Sequence, residues 1–321
     1  MKKILVLHTG GTIAMSEDAT GKVSPDASNP LLGASLSVPS SIALTVEDFF
    51  QLPSPQITLE HMLQLKQRIQ QAHQQQFEGV IITHGTDTLE ETAFFLDATI
   101  GDLMPIILTG AMRSSNELGS DGLYNFMNAL RVAESDDARN KGVLVVLNDE
   151  IHTARYVTKT HTTNVATFRT PTLGPIGIIT KHRILFMMEL LDTPRYDVSQ
   201  MEGLVPIVKA YAGMQGDFFN LLAEMPINGL VIEALGAGNL PPATLPAIQT
   251  ILDKDIPIVL VSRCFNGVAE PVYSYEGGGI QLEEMGIVFC NTVNSQKARI
   301  KLLIGQHAHL NQEELYHFLT N

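Results

Sequence analysis

The chain has 321 residues, 45% of them hydrophobic, enough for one large domain or two medium ones with a sizeable core. Its 21 Lys and Arg stand against 34 Asp and Glu, a formal charge of -13, and no basic run follows the spacing of a phosphate backbone, which argues against nucleic acid as a partner. No apolar segment approaches the length of a membrane span, and the two cysteines, Cys264 and Cys290, form no CxxC pair.

Taken in chain order, Met1-Lys2-Lys3 precedes an apolar run at 4–7 that is too short for a signal-peptide core and reads as a first strand. The expectation is a cytoplasmic protein with reduced thiols, and both cysteines, in strand-like apolar surroundings, read as buried structural residues. The first strand runs into His8-Thr9-Gly10-Gly11-Thr12-Ile13-Ala14. Residues 16–39, rich in Gly, Pro, Ser, Asp and Asn without a period, read as a lid following Thr12. A Gln-rich stretch at 59–77 spaces Met62, Leu65, Ile69 and Ala72 as the apolar stripe of an amphipathic helix. A second apolar run at 79–82 ends in Thr83-His84-Gly85-Thr86-Asp87-Thr88, just before the helical pattern that opens at Leu89-Glu90-Glu91. Taken alone, Asp87 there reads as a helix cap. Further runs at 105–108 and 142–147 continue the alternation of strand and helix, the mark of a parallel sheet.

After Leu173 the texture changes through Gly174-Pro175, Thr193-Pro194-Arg195 and Met201-Glu202-Gly203, before new strand patterns at Val205, 229–236 and 256–262. The prediction is two α/β domains: a larger one at 1–185 with a mostly parallel sheet flanked by helices, a linker at 186–204, and a smaller parallel-sheet domain at 205–321.

The chain has no GxxxxGK[ST], no GxGxxG opening a helix after a strand, no HExxH or Cys/His ligand set, and no GxSxG elbow. The expectation is therefore no nucleotide cofactor, no metal and no serine nucleophile; what remains is threonine. In an open parallel sheet ligands bind beyond the carboxyl ends of the strands, and two such ends carry threonine on glycine turns, where the missing Cβ permits close approach. A threonine hydroxyl needs a base and a nearby cation or set of amides to attack a carbonyl. Thr158-Lys159-Thr160-His161 supplies a lysine that, beside Thr86 and Asp87, would make a Thr-Lys-Asp set. Taken alone, Lys159 reads as a solvent-facing loop residue, and Thr9 and Thr12 as threonines that close a strand.

Together these residues resemble the bacterial L-asparaginase family, and within it the cytoplasmic, type I members. Its two signatures, Thr-Gly-Gly-Thr-Ile after strand one and His-Gly-Thr-Asp-Thr before a helix, are intact. The similarity extends through Thr109-Gly110-Ala111-Met112-Arg113, Ser120-Asp121-Gly122, Thr158-Lys159, Gly236-Ala237-Gly238-Asn239 and Gln296-Lys297-Ala298-Arg299, essentially the whole chain. The resemblance implies hydrolysis of L-asparagine to L-aspartate and ammonia, with Thr12 as nucleophile of an acyl-enzyme and Thr86, Asp87 and Lys159 as a second catalytic group. It further implies Ser54 at the substrate α-carboxylate, Asp87 at the α-ammonium, and Gly11, Gly85 and Ala111 as pocket backbone. Asn239 would come from a neighbouring subunit of a homodimer, or of a homotetramer built as a dimer of dimers. Two features depart from periplasmic members: no tyrosine lies between Thr12 and Asp48, and Pro55 stands where they have a glutamine. The first leaves the base for Thr12 open, with Tyr273, Tyr275 and Glu276 as candidates to assist; the second implies weaker substrate affinity. Mixed glutaminase-asparaginase specificity differs by one methylene in the substrate, worth roughly 1–3 kcal/mol. The amidase component of the archaeal tRNA-dependent amidotransferase shares both signatures but adds an N-terminal domain; with the first strand read as starting at residue 3, the expectation is a chain without it. A non-catalytic asparagine sensor is the reading from another class, and the intact Thr12, Thr86, Asp87 and Lys159 argue against it.

Overall fold

The computed structural model describes residues 1–25 and 38–321. Residues 26–37, half of the segment read as a lid, therefore lie outside the described residues; ahead of them the chain forms a short antiparallel hairpin of β2 (Met15–Glu17) and β3 (Val23–Pro25). The chain divides into two compact units, Met1–Arg195 and Tyr196–Asn321.

In the first unit the Ile/Val-rich runs form β1 (Lys2–His8), β5 (Gly79–Thr83), β6 (Ile106–Thr109) and β7 (Val143–Leu147), with β4 (Ile42–Asp48) on the far side of β1. These five pair in parallel in the order β4-β1-β5-β6-β7. The sheet continues antiparallel through β8 (Glu150–Thr153), β11 (Gly177–Ile179) and β12 (Ile184–Phe186), eight strands in all. Helices α1 (Leu59–Gln74), α2 (Leu89–Ile100) and α3 (Gly122–Glu134) make the crossovers. On α1 the predicted stripe of Met62, Leu65, Ile69 and Ala72 is buried, and Thr58 caps the helix by accepting from His61 N while His61 Nδ1 accepts from Thr58 N. Strand periodicity sends Ile4, Val6, Ile81, Ile107, Leu144 and Val146 into one core with Phe126, Ala129 and Leu130 of α3. The intervening Leu5, Leu7, Val80 and Ile82 are equally buried on the opposite face. Covered on both faces, these strands read as unbroken apolar runs.

The parallel order 4-1-5-6-7 contains one reversal: the chain leaves β1 for β4 on one side, then returns through α1 to β5 on the other. The carboxyl ends of β1 and β5 thus flank a topological switch point, where the two connections part and leave a crevice.

In the second unit, β13 (Ile207–Lys209), β14 (Leu230–Ala234), β15 (Ile258–Ser262) and β16 (Val288–Phe289) pair in parallel in sequence order. Helices α4 (Asp217–Ala223), α5 (Leu245–Leu252) and α6 (Gly279–Glu284) connect them, and their Phe219, Leu222, Ile248, Ile251 and Leu282 pack with Ile232 and Leu260 in one core. Helices α7 (Ser295–His307) and α8 (Gln312–Thr320) follow. This sequential order has no switch point. Residues 187–206, between β12 and β13, carry no helix or strand. Of the two cysteines, Cys290 is buried but Cys264 is exposed, against expectation: β15 ends at Ser262, whose hydroxyl accepts from Cys264 N and turns the chain outward. Among the described residues no helix is long and apolar enough to cross a membrane.

Candidate active site

The two threonine turns meet at the switch point through glycine. Gly10 and Gly11 have φ of +96° and +84°, conformations natural to glycine. A Cβ on Gly11 would fall 2.3 Å from Gly85 Cα, and one on Gly85 would fall 2.7 Å from Ser54 Cβ. Backbone therefore stacks on backbone, and Gly11, Gly85 and Ser54 form one contiguous wall. Thr12 and Thr86 each follow one of these glycines. Thr12 is partly exposed in a short 3-10 turn, whereas Thr86 is 6% exposed. Thr9 does close its strand, its hydroxyl donating to Thr83 O at 2.8 Å.

Lys159 lies on β9 (Thr158–Lys159), a two-residue strand paired with β10 (Phe168–Arg169). It is no loop lysine in solvent: its ammonium donates to Thr86 Oγ1 at 2.9 Å and Asp87 Oδ1 at 2.7 Å, and its side chain is 17% exposed. Asp87 does not cap α2. Thr88 holds the N-cap position, but its hydroxyl donates to Ser54 O and accepts from no N–H of the helix's first turn. The Asp87 carboxylate pairs with Lys159 while remaining 59% exposed, so part of it faces outward. Ser54, itself 4% exposed, accepts from Asp87 N at 3.1 Å, which leaves its hydroxyl hydrogen free to donate elsewhere.

Beneath this surface the polar groups are fixed. His84 is fully buried, with Nδ1 2.7 Å from Gly85 O and Nε2 2.9 Å from Thr92 Oγ1. A carbonyl only accepts, so Nδ1 carries the proton and Nε2 accepts from Thr92, a neutral ring. Burial pushes the His84 pKa down to about 4, against the opposing hydrogen bond to Gly85. His8, whose Nδ1 meets Thr83 Oγ1 at 2.7 Å, is likewise pushed down to about 4 by burial, with Asp48 acting the other way. Ala111, 1% exposed, sits in a turn pinned by Asp121, which accepts from Met112 N and Arg113 N, and by Asn125, which donates to Gly110 O.

The remaining candidates lie in the second unit, where Asn239 joins the tyrosine loop. Asn239 Oδ1 accepts from Gly279 N at 3.2 Å, and Leu240 N donates to Gly277 O. Tyr273 and Tyr275, 47% and 55% exposed, place their rings 5.4 Å apart, and Glu276 beside them is exposed. One residue escaped the sequence reading: Glu90 is buried and accepts from both Thr158 Oγ1 and Lys159 N. In the first turn of a helix a glutamate suggests only a favourable dipole, and no periodicity marks it as buried. Among the described residues, no three His, Cys, Asp or Glu side chains converge as a metal site.

Comparison with known proteins matches the N-terminal asparaginase domain to residues 3–191 and the glutaminase/asparaginase C-terminal domain to residues 204–319. An L-asparaginase of Bacillus licheniformis is 36% identical over 94% of this chain and 95% of its own length. A glutaminase-asparaginase of Pseudomonas fluorescens biotype A is 29% identical over 95% and 86%. The crystal structure described as a probable cytoplasmic L-asparaginase from Campylobacter jejuni superimposes with a TM-score of 0.88, at 30% identity, over 99% of both chains. With both halves matched in order and similarity running nearly end to end, the chain belongs to the asparaginase family of amidohydrolases.

Proposed function

We propose that the protein hydrolyses L-asparagine to L-aspartate and ammonia, with Thr12 as nucleophile. The observation that carries this reading is Lys159, reaching from a strand 72 residues away in sequence to bond both Thr86 and Asp87 at the switch point where Thr12 also sits. In the proposed cycle Thr12 Oγ attacks the side-chain amide carbon, its proton passes to the departing nitrogen, and ammonia leaves an ester on Thr12. Water then adds to the ester carbon, aspartate departs, and the threonine hydroxyl is restored. The Lys159 charge beside Thr86 favours the negative charge that develops in both additions. Because Lys159 donates to Thr86 Oγ1, the Thr86 hydroxyl hydrogen is left to polarise the scissile group. The exposed part of Asp87 suits an α-ammonium, and the free hydroxyl hydrogen of Ser54 suits an α-carboxylate. Gly11, Gly85 and Ala111 would line the pocket with backbone.

The names of the relatives support asparagine as substrate, and the Campylobacter jejuni relative supports a cytoplasmic setting. We further place the working enzyme as a homodimer or a tetramer of two dimers, with Asn239 of a neighbouring copy closing each site and Tyr273, Tyr275 or Glu276 assisting Thr12. Ammonia release by the wild type, Thr12→Ala and Tyr275→Phe, with L-asparagine and L-glutamine from micromolar to millimolar, tests the reading. Release from asparagine that Thr12→Ala lacks supports it, and the glutamine ratio sets the specificity. No release from either substrate would transfer the reading to a sensor, and unchanged activity in Tyr275→Phe would remove Tyr275.

A further inference from the structure

We propose that Glu90 is the positioning residue for Lys159, an inference that rests on the catalytic reading of that lysine. Strand β9 contributes two residues to a ribbon of two residue pairs that stands outside the eight-stranded sheet. So short a ribbon has little power to hold its own place. Glu90 ties it to the opening turn of α2: one carboxylate oxygen accepts from Thr158 Oγ1 at 3.0 Å and from Lys159 N at 3.2 Å. Glu90 is 4% exposed, and a carboxylate that deep requires donors of this kind.

The other end of Lys159 is held by Thr86 and Asp87, which immediately precede the same helix. The start of α2 therefore grips the lysine twice, by its main chain and by its ammonium. A lysine side chain has four rotatable bonds and loses much rotamer freedom when its tip is fixed. Anchoring the main chain three residues along the helix from Asp87 shortens that search and sets the approach to Thr86. Thr158 thereby gains a purpose, since its hydroxyl doubles the ribbon's hold on the same oxygen.

The test is a double-mutant cycle read by steady-state ammonia release from L-asparagine, with folding of each variant checked by circular dichroism and thermal unfolding. Glu90→Gln keeps an acceptor oxygen and should hold kcat within about threefold, whereas Glu90→Met should lower kcat roughly 10- to 100-fold with KM changed by less than about threefold. In a Lys159→Met background, Glu90→Met should change kcat by less than about twofold, because the two residues act as one unit. Thr158→Val, which deletes one donor and leaves the carboxylate in place, covers the case that Glu90→Met does not fold; its kcat should fall about 3- to 10-fold. Equal losses with and without Lys159, unchanged kcat in Glu90→Met or Thr158→Val, or a Gln variant as impaired as Met would each overturn the inference. Full activity in Lys159→Met, with Thr12→Ala inactive, would show instead that the catalytic reading of Lys159 had failed.

Discussion

At the scale of single residues, the site is built by burying groups that water would otherwise hold, and the histidines show what this costs. His8 and His84 lie under the two threonine turns with pKa values pushed down to about 4 by burial, against an ordinary value of 6.5. Above about pH 6.5 both folded and unfolded chains carry neutral rings, and the pair imposes no proton-linked penalty. As the pH falls through that value the unfolded chain takes up protons that the folded chain refuses, so stability drops until about pH 4 and then levels. The loss is on the order of 3 kcal/mol per histidine across that window. Urea unfolding at pH 7.5 and pH 5 should therefore show a marked fall. His84→Asn, whose side-chain amide can still donate to Gly85 O, should remove about half of the pH-dependent part. A variant with the wild-type pH slope would mean that the protons are taken up elsewhere.

At the scale of elements, the contact between the turns after β1 and β5 leaves no room for a side chain. On Gly11 a methyl group would meet Gly85 main chain at 2.3 Å, and backbone, unlike a side chain, has no rotamer by which to yield. Gly174 separates strain from contact: its φ is +78°, close to the +84° of Gly11, but a Cβ there would meet nothing within 4 Å. Gly174→Ala should thus cost only about 1–2 kcal/mol of left-handed strain and leave kcat/KM intact, while Gly11→Ala should cost more and abolish most activity. Equal losses in the two variants, measured by denaturant unfolding and ammonia release, would mean that the close approach is unimportant. The same contrast explains what was legible in the sequence. Strands β1, β5, β6 and β7 and helix α1 announce themselves, because each is long enough to show a period or an unbroken apolar run. Strands β9 to β12 hold two or three residues each, too few for any pattern, and so Lys159 looked like a loop residue. Thr86 and Asp87 were readable as residue types on a glycine turn. Their convergence with Lys159 depends on a ribbon held by a buried glutamate, which no local pattern encodes. Cys264 was misread for a related reason: the apolar run of β15 predicts a strand, but not the residue at which its hydrogen bonds stop.

At the scale of the molecule, strand order separates the two units by the kind of site each can offer. The first unit reverses its order between β1 and β5 and so opens a crevice; the second adds strands in one direction and opens none inside its sheet. A role for the second unit in the reaction must then come from its loops, where Asn239 and the Tyr273–Glu276 stretch are joined through Gly277 and Gly279. If those loops serve a neighbouring copy, as we propose, the two kinds of damage are complementary. A chain with Thr12→Ala still lends an intact Asn239 to its partner, and a chain with Asn239→Ala still has its own nucleophile. Co-expression with two different affinity tags isolates the hybrid. In it, one of every two paired sites combines an intact Thr12 with an intact Asn239, and the other has neither. The hybrid should recover about half of the wild-type kcat, well above either parent alone. If Asn239 instead acts within its own chain, every hybrid site carries one of the two lesions and no activity beyond the average of the parents returns. That outcome would remove the neighbouring copy from the proposed site and leave Thr12, Thr86, Asp87, Lys159 and Asn239 of a single chain to account for the reaction.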